Sequence, residues 1–155
     1  MKRISFPTPN SLRRFACWAM LFALPFAAKS QVDFAIATSQ NGDQVTAHVV
    51  VANFTDIISM QYTMQWNPAE LAYAGVENFN LPDLATSSFG VTQTSSGKLT
   101  FSWIDFTTNG ITVPNCSAIF AIRFQDLSVA STPVAIVGAP TPIEIVNVNG
   151  ALQDL

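Results

Sequence analysis

Charged residues are scarce in this 155-residue chain, and the basic ones are unevenly placed. Charged side chains make up 11% of the residues, against roughly 25% in an average soluble protein. Beyond residue 30 only Lys98 and Arg123 are basic, whereas all ten acidic residues lie there. Neutralising nucleic-acid phosphates or anionic lipid headgroups requires clustered Lys and Arg. We therefore expect no nucleic-acid partner and no docking on an anionic membrane surface.

Cysteine and histidine are almost absent. The chain has two cysteines, Cys17 and Cys116, and one histidine, His48. Because Cys17 lies in the N-terminal apolar segment described below, a processed chain would keep Cys116 alone and form no internal disulfide. A single histidine also disfavours Ser–His and Cys–His nucleophiles and thiolate or imidazole metal sites.

Acidic residues are the remaining candidates for catalysis. Glycoside hydrolysis needs two carboxylates about 5–10 Å apart, and Glu70, Glu77, Asp83 and Asp105 fall in no recognisable motif. We predict that the protein is not an enzyme and has no cofactor. A structural Ca²⁺ held by loop carboxylates is conceivable, but no loop has EF-hand ligand spacing.

No apolar run is long enough to cross a bilayer, which takes about 20 residues. The longest one, residues 15–28, follows Arg13 and Arg14. Its last residue begins the small-residue site Ala28-Lys29-Ser30. A basic stretch, a short apolar run and a small-residue site are typical of a secretory signal peptide. We predict a signal at residues 1–30, bacterial-type export, and an extracellular domain at 31–155 without a membrane span. The alternative is a buried N-terminal helix.

Helical periodicity is nearly absent from residue 31 onward, and period-two alternation replaces it. Turn residues at 41–43 and 95–97 predict two hairpins. Eight or nine short strands without helices predict an all-β fold, a two-sheet antiparallel sandwich with jelly-roll or Greek-key connections. The side chains predicted to face inward are Met60, Tyr62, Met64 and Trp66, Leu99, Phe101 and Trp103, and Ala118, Phe120, Ile122 and Phe124.

Residues 57–71, IISMQYTMQWNPAEL, resemble the signature of the cohesin family. In that signature a strand ends in an aromatic residue, followed by Asp or Asn, often Pro, and a Leu a few positions later. Trp66, Asn67, Pro68 and Leu71 occupy these places here. Residues 97–105 and 117–124 are similar in order and spacing to the central and late strands of the family, and the resemblance covers about residues 32–150.

The resemblance implies a nine-stranded jelly roll acting as a secreted, non-catalytic module that binds dockerin domains in extracellular polysaccharide-degrading assemblies. In the family, one sheet face receives the dockerin helices. The strands that match it carry Gln61, Thr63, Gln65, Thr100 and Ser102, and strand alternation independently places these five side chains outward. The alternative interpretation is that they are ordinary solvent-facing positions.

The chain departs from the family pattern at two places. Asn115-Cys116 stands where many cohesins have Asp-Gly, and Ser102 stands where some present an apolar contact residue. Hot spots usually contain a buried apolar or aromatic anchor. On the predicted face only Ile104 and Phe106, at its edge, could supply one.

Two alternative functions remain. Direct polysaccharide binding would use exposed rings that stack on sugars, and Phe79, Phe89 and Phe106 lie in predicted loops or at strand ends. We favour a role for these rings as a cover over the core, because Phe lacks the polar tip that suits Tyr and Trp to wet surfaces. The second alternative is a structural or adhesion module of a surface protein.

Overall fold

A computed structural model describes residues 31–128, 133–150 and 152–153. These residues form ten β-strands and two short 3-10 turns, Thr86–Ser88 and Thr94–Ser96. No helix in the described part of the chain is long and apolar enough to span a membrane. The predicted signal peptide lies outside the described residues. The strands are β1 Asp33–Asn41, β2 Gln44–Ala52, β3 Ile57–Gln65, β4 Leu71–Glu77, β5 Phe89–Gly90, β6 Lys98–Ile104, β7 Ser117–Asp126, β8 Ala135–Val137, β9 Glu144–Asn147 and β10 Leu152–Gln153.

The strands form two antiparallel sheets. The four-stranded sheet has the order β1-β2-β7-β4, and the six-stranded sheet has the order β10-β9-β3-β6-β5. Strand β8 also pairs with β3, on Thr63 to Gln65, whereas β9 pairs with the earlier part of β3. The predicted all-β, two-sheet antiparallel sandwich is confirmed.

The core lies between the sheets and is rich in aromatic rings. Tyr62 of β3, Phe101 of β6 and Phe120 of β7 are almost completely buried. The ring centroids are 4.8 Å apart for Tyr62 and Phe101 and 4.9 Å apart for Phe101 and Phe120. Aromatic pairs at these distances stabilise a core beyond the burial of their area. The inward rows predicted for β3 and β6 are confirmed.

The inward row predicted for β7 is wrong at its first position. Ile119 is fully buried, whereas Ala118 is only half-buried. The register between β2 and β7 shifts here, with Val49 opposite Phe120 and Val50 opposite Ala118. A bulge of this kind inserts one residue into a strand and changes which side chains face the core.

Both predicted hairpins occur at glycines with positive φ. Gly42, between β1 and β2, has a φ of 63°, and Gly97, before β6, has a φ of 72°. Side chains other than glycine rarely adopt this conformation. The second hairpin fixes β6 beside β3 through the backbone N–H of Trp66, which donates to the Gly97 carbonyl at 3.0 Å.

Candidate protein-binding face

The side of the six-stranded sheet that points away from the core contains the predicted binding residues. In the register of β3 and β6, Gln61 lies opposite Ser102, Thr63 opposite Thr100, and Gln65 opposite Lys98. Because alternate residues of a strand point to the same side, these side chains share one surface. We call it the outer face, and it includes Ser59, Ile104, Glu144 and Val146 as well.

The five predicted residues differ in exposure. Gln65 and Ser102 are exposed, and Gln61 and Thr100 are half-buried. The Thr100 hydroxyl lies 3.5 Å from the carbonyl oxygen of Gly90 on β5. A Cβ atom at Gly90 would come within 2.2 Å of that hydroxyl oxygen. Thr100 is therefore partly engaged with its own sheet.

Thr63 is fully buried, with 0% of its surface exposed, which corrects the expectation that it faces solvent. Residues 138–143, the connection between β8 and β9, cover it, and we call them the strap. The Thr63 hydroxyl donates to the carbonyl of Thr141 at 3.2 Å and accepts from its N–H at 3.0 Å. Thr63 therefore anchors the strap and is not available for direct contact.

Glu144 brings a carboxylate to the outer face. Its Oε2 accepts a hydrogen bond of 2.9 Å from Nε2 of Gln61, which lies opposite it on β3. The basic residue Lys98 lies at the other end of β6, beside Gln65. Glu144 thus carries a negative charge beside the middle of the face, and Lys98 carries a positive charge at one end.

One end of the outer face is apolar. Ile104 is 47% exposed, Phe106 is 74% exposed and Val148 is 41% exposed. Val146 is half-buried and lies across Ser59 from Ile104. We call these four residues the apolar end. The sequence indicated Ile104 and Phe106, but Val146 of β9 and Val148 just after it were missed. Their alternation with inward-facing Ile145 contained the signal.

The loop after β6 is held by the buried carboxylate of Asp105. Its Oδ1 accepts hydrogen bonds from the N–H and the hydroxyl of Thr107, at 2.9 and 2.7 Å, and its Oδ2 accepts from the N–H of Gly110 at 2.9 Å. Chiefly because of the Thr107 hydroxyl, the pKa of Asp105 is lowered from its usual value. These bonds fix the loop that presents Phe106.

The three rings suggested for sugar stacking do not form an exposed platform. Phe89 is only 7% exposed, with its ring centroid 5.1 Å from Phe101 and 5.0 Å from Phe120. Phe79 is half-buried, and its ring centroid lies 6.0 Å from that of Phe89. Phe89 belongs to the core and Phe79 covers it, so Phe106 alone of the three is exposed.

Residues that could hold a metal ion do not cluster in the described ranges. No three His, Cys, Asp or Glu side chains there lie close enough together to bind one. Cys116 is exposed and has a free thiol. Within these ranges, the side chains of the outer face can bind another molecule by hydrogen bonds and apolar contact.

Comparisons with known proteins agree with this architecture. The sixth cohesin of scaffoldin B from Acetivibrio cellulolyticus, solved in complex with a Cel5 dockerin, has a TM-score of 0.62 and 17% identity, over 79% of this chain and 91% of that chain. A type I cohesin–dockerin complex from Clostridium thermocellum has a TM-score of 0.64 and 11% identity, over 81% of this chain and 92% of that chain. A type II cohesin module of an A. cellulolyticus adaptor scaffoldin has a TM-score of 0.60 and 13% identity, over 82% of this chain and 91% of that chain.

At these identities the solved structures establish the fold alone. No curated protein sequence matches the chain. The family model described as "Cohesin domain" matches residues 30–142, which is well over half of the sequence. The chain therefore belongs to the cohesin family.

Proposed function

We propose that this protein is a secreted, non-catalytic module that binds a dockerin-type protein domain through its outer face, within an extracellular polysaccharide-degrading assembly. The observation that carries the proposal is an exposed sheet face, with polar side chains at its centre and an apolar end, in a member of the cohesin family. Two of the solved cohesins named above are in complex with dockerins.

The shape of the outer face supports a macromolecular partner. Its side chains extend over the seven residues of β6 and the nine of β3, which at about 3.3 Å per residue is a surface roughly 20–30 Å long. Stable protein–protein contacts bury about 800 Å² on each partner. Exposed Ser102 and half-buried Gln61 lie side by side in the middle of this surface, where a partner would contact both.

The acidic candidates support a binding role over catalysis. A general acid in glycoside hydrolysis needs a raised pKa, whereas the pKa of Asp105 is lowered and its carboxylate is occupied by loop hydrogen bonds. Glu77 pairs with Arg123 on the other sheet, with 3.0 Å between Oε2 and Nε. The carboxylates of both residues are therefore engaged in contacts within the protein itself.

Extracellular location is part of the proposal and rests on the sequence. The predicted signal at residues 1–30 and the single remaining cysteine, Cys116, suit an exported domain that needs no disulfide.

Direct polysaccharide binding has weaker support, because Phe79 and Phe89 pack against the core and leave one exposed ring.

The test is a calorimetric titration of the purified protein with a panel of dockerin domains, comprising those of its own source and the Cel5 dockerin of A. cellulolyticus. Ser102→Arg places a long charged side chain in the centre of the outer face. We expect it to weaken dockerin binding at least about tenfold, since a bulky unpaired charge in an interface is strongly unfavourable.

The matched control is Ser39→Arg, at an exposed serine in β1 of the four-stranded sheet, which should bind like the wild type. Equal binding by both variants, or no binding by any dockerin, would contradict the proposal. A parallel assay measures depletion of the protein by insoluble polysaccharides. Depletion that requires Phe106, with no dockerin bound, would support sugar binding instead.

A further inference from the structure

The outer face ends in a cluster of exposed apolar side chains. Of the five large apolar side chains that are exposed in the described residues, three belong to the apolar end: Ile104, Phe106 and Val148. Val146 joins them because it and Ile104 lie on the two strands that flank Ser59. Scattered single apolar residues are normal on a surface, but a contiguous group marks an interaction site.

The exposed ring of Phe106 is presented by a well-ordered loop. Besides accepting three hydrogen bonds from the loop, Asp105 donates its backbone N–H to the carbonyl of Ile58 at 2.7 Å, which ties the loop to β3. Gly110 closes the loop with a φ of 83°, and a Cβ there would come within 2.5 Å of Cγ1 of Val148. Because these bonds hold the loop backbone in place, presenting the ring to a partner costs little further backbone entropy.

In the part of the chain that the structure describes, the charged side chain beside the apolar end on the outer face is acidic. Glu144 lies on the same face as Val146, two residues along β9. Lys98 is at the far end of β6, six residues from Ile104, which corresponds to about 20 Å along a strand. Arg123, the other basic residue beyond residue 30, is on the four-stranded sheet and pairs with Glu77. Within the described residues, a partner that covers the apolar end therefore meets the acidic Glu144, whereas the basic residue of the face, Lys98, lies at its far end.

We infer that the apolar end is the anchor of the docking contact: it takes an apolar side chain of the dockerin between Ile104 and Phe106, with a Lys or Arg of the same dockerin beside Glu144. This inference rests on the proposed function and specifies its chemistry. The polar centre around Gln61 and Ser102 then surrounds the anchor and contributes less to affinity, as residues around a hot spot commonly do.

The experiment repeats the titration with the dockerin of the panel that binds most tightly to the wild type. Phe106→Ser and Ile104→Ser remove the anchor at exposed positions, so both variants should fold, and circular dichroism checks this. We expect Phe106→Ser to bind about 30-fold more weakly, the usual loss at a hot spot. Leu127→Ser is the matched control, because Leu127 is 55% exposed and follows β7 of the other sheet. It should change the dissociation constant less than twofold.

The charged part of the inference is tested by association kinetics. Glu144→Gln keeps a group that can accept from Gln61 but removes the charge, and should slow association several-fold while flattening its salt dependence. Glu70→Gln is its control, since Oε1 of Glu70 also accepts from a side-chain amide, that of Asn67, just before β4 of the four-stranded sheet. Kinetics unchanged by Glu144→Gln would overturn the assignment of a basic neighbour.

The outcomes separate this inference from the proposed function. If Ser102→Arg abolishes binding while Phe106→Ser and Ile104→Ser bind within twofold of the wild type, docking on the outer face stands and the anchor assignment is overturned. If no dockerin of the panel binds, both are overturned. If the anchor variants lose binding while Leu127→Ser binds like the wild type, the proposed function and the anchor assignment are both supported.

Discussion

The outward surfaces of the two sheets follow the same strand alternation but carry different side chains. On the four-stranded sheet, β1 contributes Ala35, Ala37 and Ser39, which pair with Val50, His48 and Thr46 of β2. On the six-stranded sheet, the outer face carries Ile104 on β6 and Val146 on β9, with Phe106 in the loop beyond. Strand β1 presents small side chains on the first surface, and the second surface ends in large apolar ones.

This difference shows where the protein exposes large apolar side chains to water at a cost in stability. Exposing Phe106 and Ile104 to water forfeits the stabilisation that their burial would give, about 25 cal/mol per Å² of apolar surface. The small side chains of β1 carry no such cost. The docking contact proposed above would cover this surface and would account for the asymmetry between the two sheets.

The largest expected effect concerns the glycines of the two hairpins. A Cβ at Gly97 would lie 2.2 Å from the carbonyl oxygen of Trp66 and 2.9 Å from Cδ of Pro68, whereas one at Gly42 would meet nothing within 4 Å. Both have positive φ. We expect Gly97→Ala to lower the free energy of unfolding by about 3 kcal/mol and Gly42→Ala by about 1 kcal/mol.

Urea unfolding of the two variants measures this difference, with the slope of the transition used to check that the denatured state is unchanged. Equal losses for the two variants would mean that the close approach of Gly97 to Trp66 does not stabilise the six-stranded sheet. The second hairpin would then be no more constrained than the first.

A smaller effect is expected at the strap. Thr63→Val keeps a branched side chain but removes the hydroxyl that pairs with both backbone groups of Thr141. Because a part-buried backbone N–H is left without its partner, we expect a loss of about 1 kcal/mol in the free energy of unfolding. The control, Thr46→Val, replaces a half-buried threonine on β2 of the other sheet, and should change stability by less than about 0.5 kcal/mol.

Hydrogen exchange at the amide of Thr141 distinguishes a local from a global effect. We expect faster exchange at this amide in Thr63→Val, since the strap loses its attachment to β3. An unchanged exchange rate together with unchanged stability would show that other contacts hold the strap.

Strand positions and the side of each residue were predictable where alternation is uninterrupted. In β3, inward Met60, Tyr62 and Met64 alternate with outward Gln61 and Gln65 over a single unbroken strand. Period two then fixes each side chain's orientation from local sequence alone. The binding surface could be outlined because β3 and β6 are both strands of this kind.

The features that alternation missed depend on distant partners. Thr63 is buried by Thr141, 78 residues further along the chain, and no local pattern contains that contact. The inward position of Ile119 results from a bulge in the pairing with β2. The burial of Phe89 depends on Phe101 and Phe120 from two other strands. In each case the burial of the residue is decided by tertiary packing and not by the local sequence pattern.

The smallest expected effect is the pH response of the loop that presents Phe106. Hydrogen bonds to the ionised carboxylate of Asp105, above all from the Thr107 hydroxyl, lower its pKa in the folded protein. A carboxyl group with a depressed folded-state pKa stabilises the fold at pH values above its unfolded pKa of about 3.9. That contribution is lost as the pH falls through the folded-state pKa.

An NMR titration of the amides of Thr107 and Gly110 follows this transition directly. Both amides donate to Asp105, so their chemical shifts should move together, with a midpoint below about 3.9. In Asp105→Asn the shared transition should disappear, because the residue no longer titrates. A midpoint at or above the usual value would mean that the loop does not favour the ionised form. Since the ring of Phe106 projects from this loop, protonation of Asp105 should also loosen the apolar end while the inner core, built from uncharged side chains, keeps its packing.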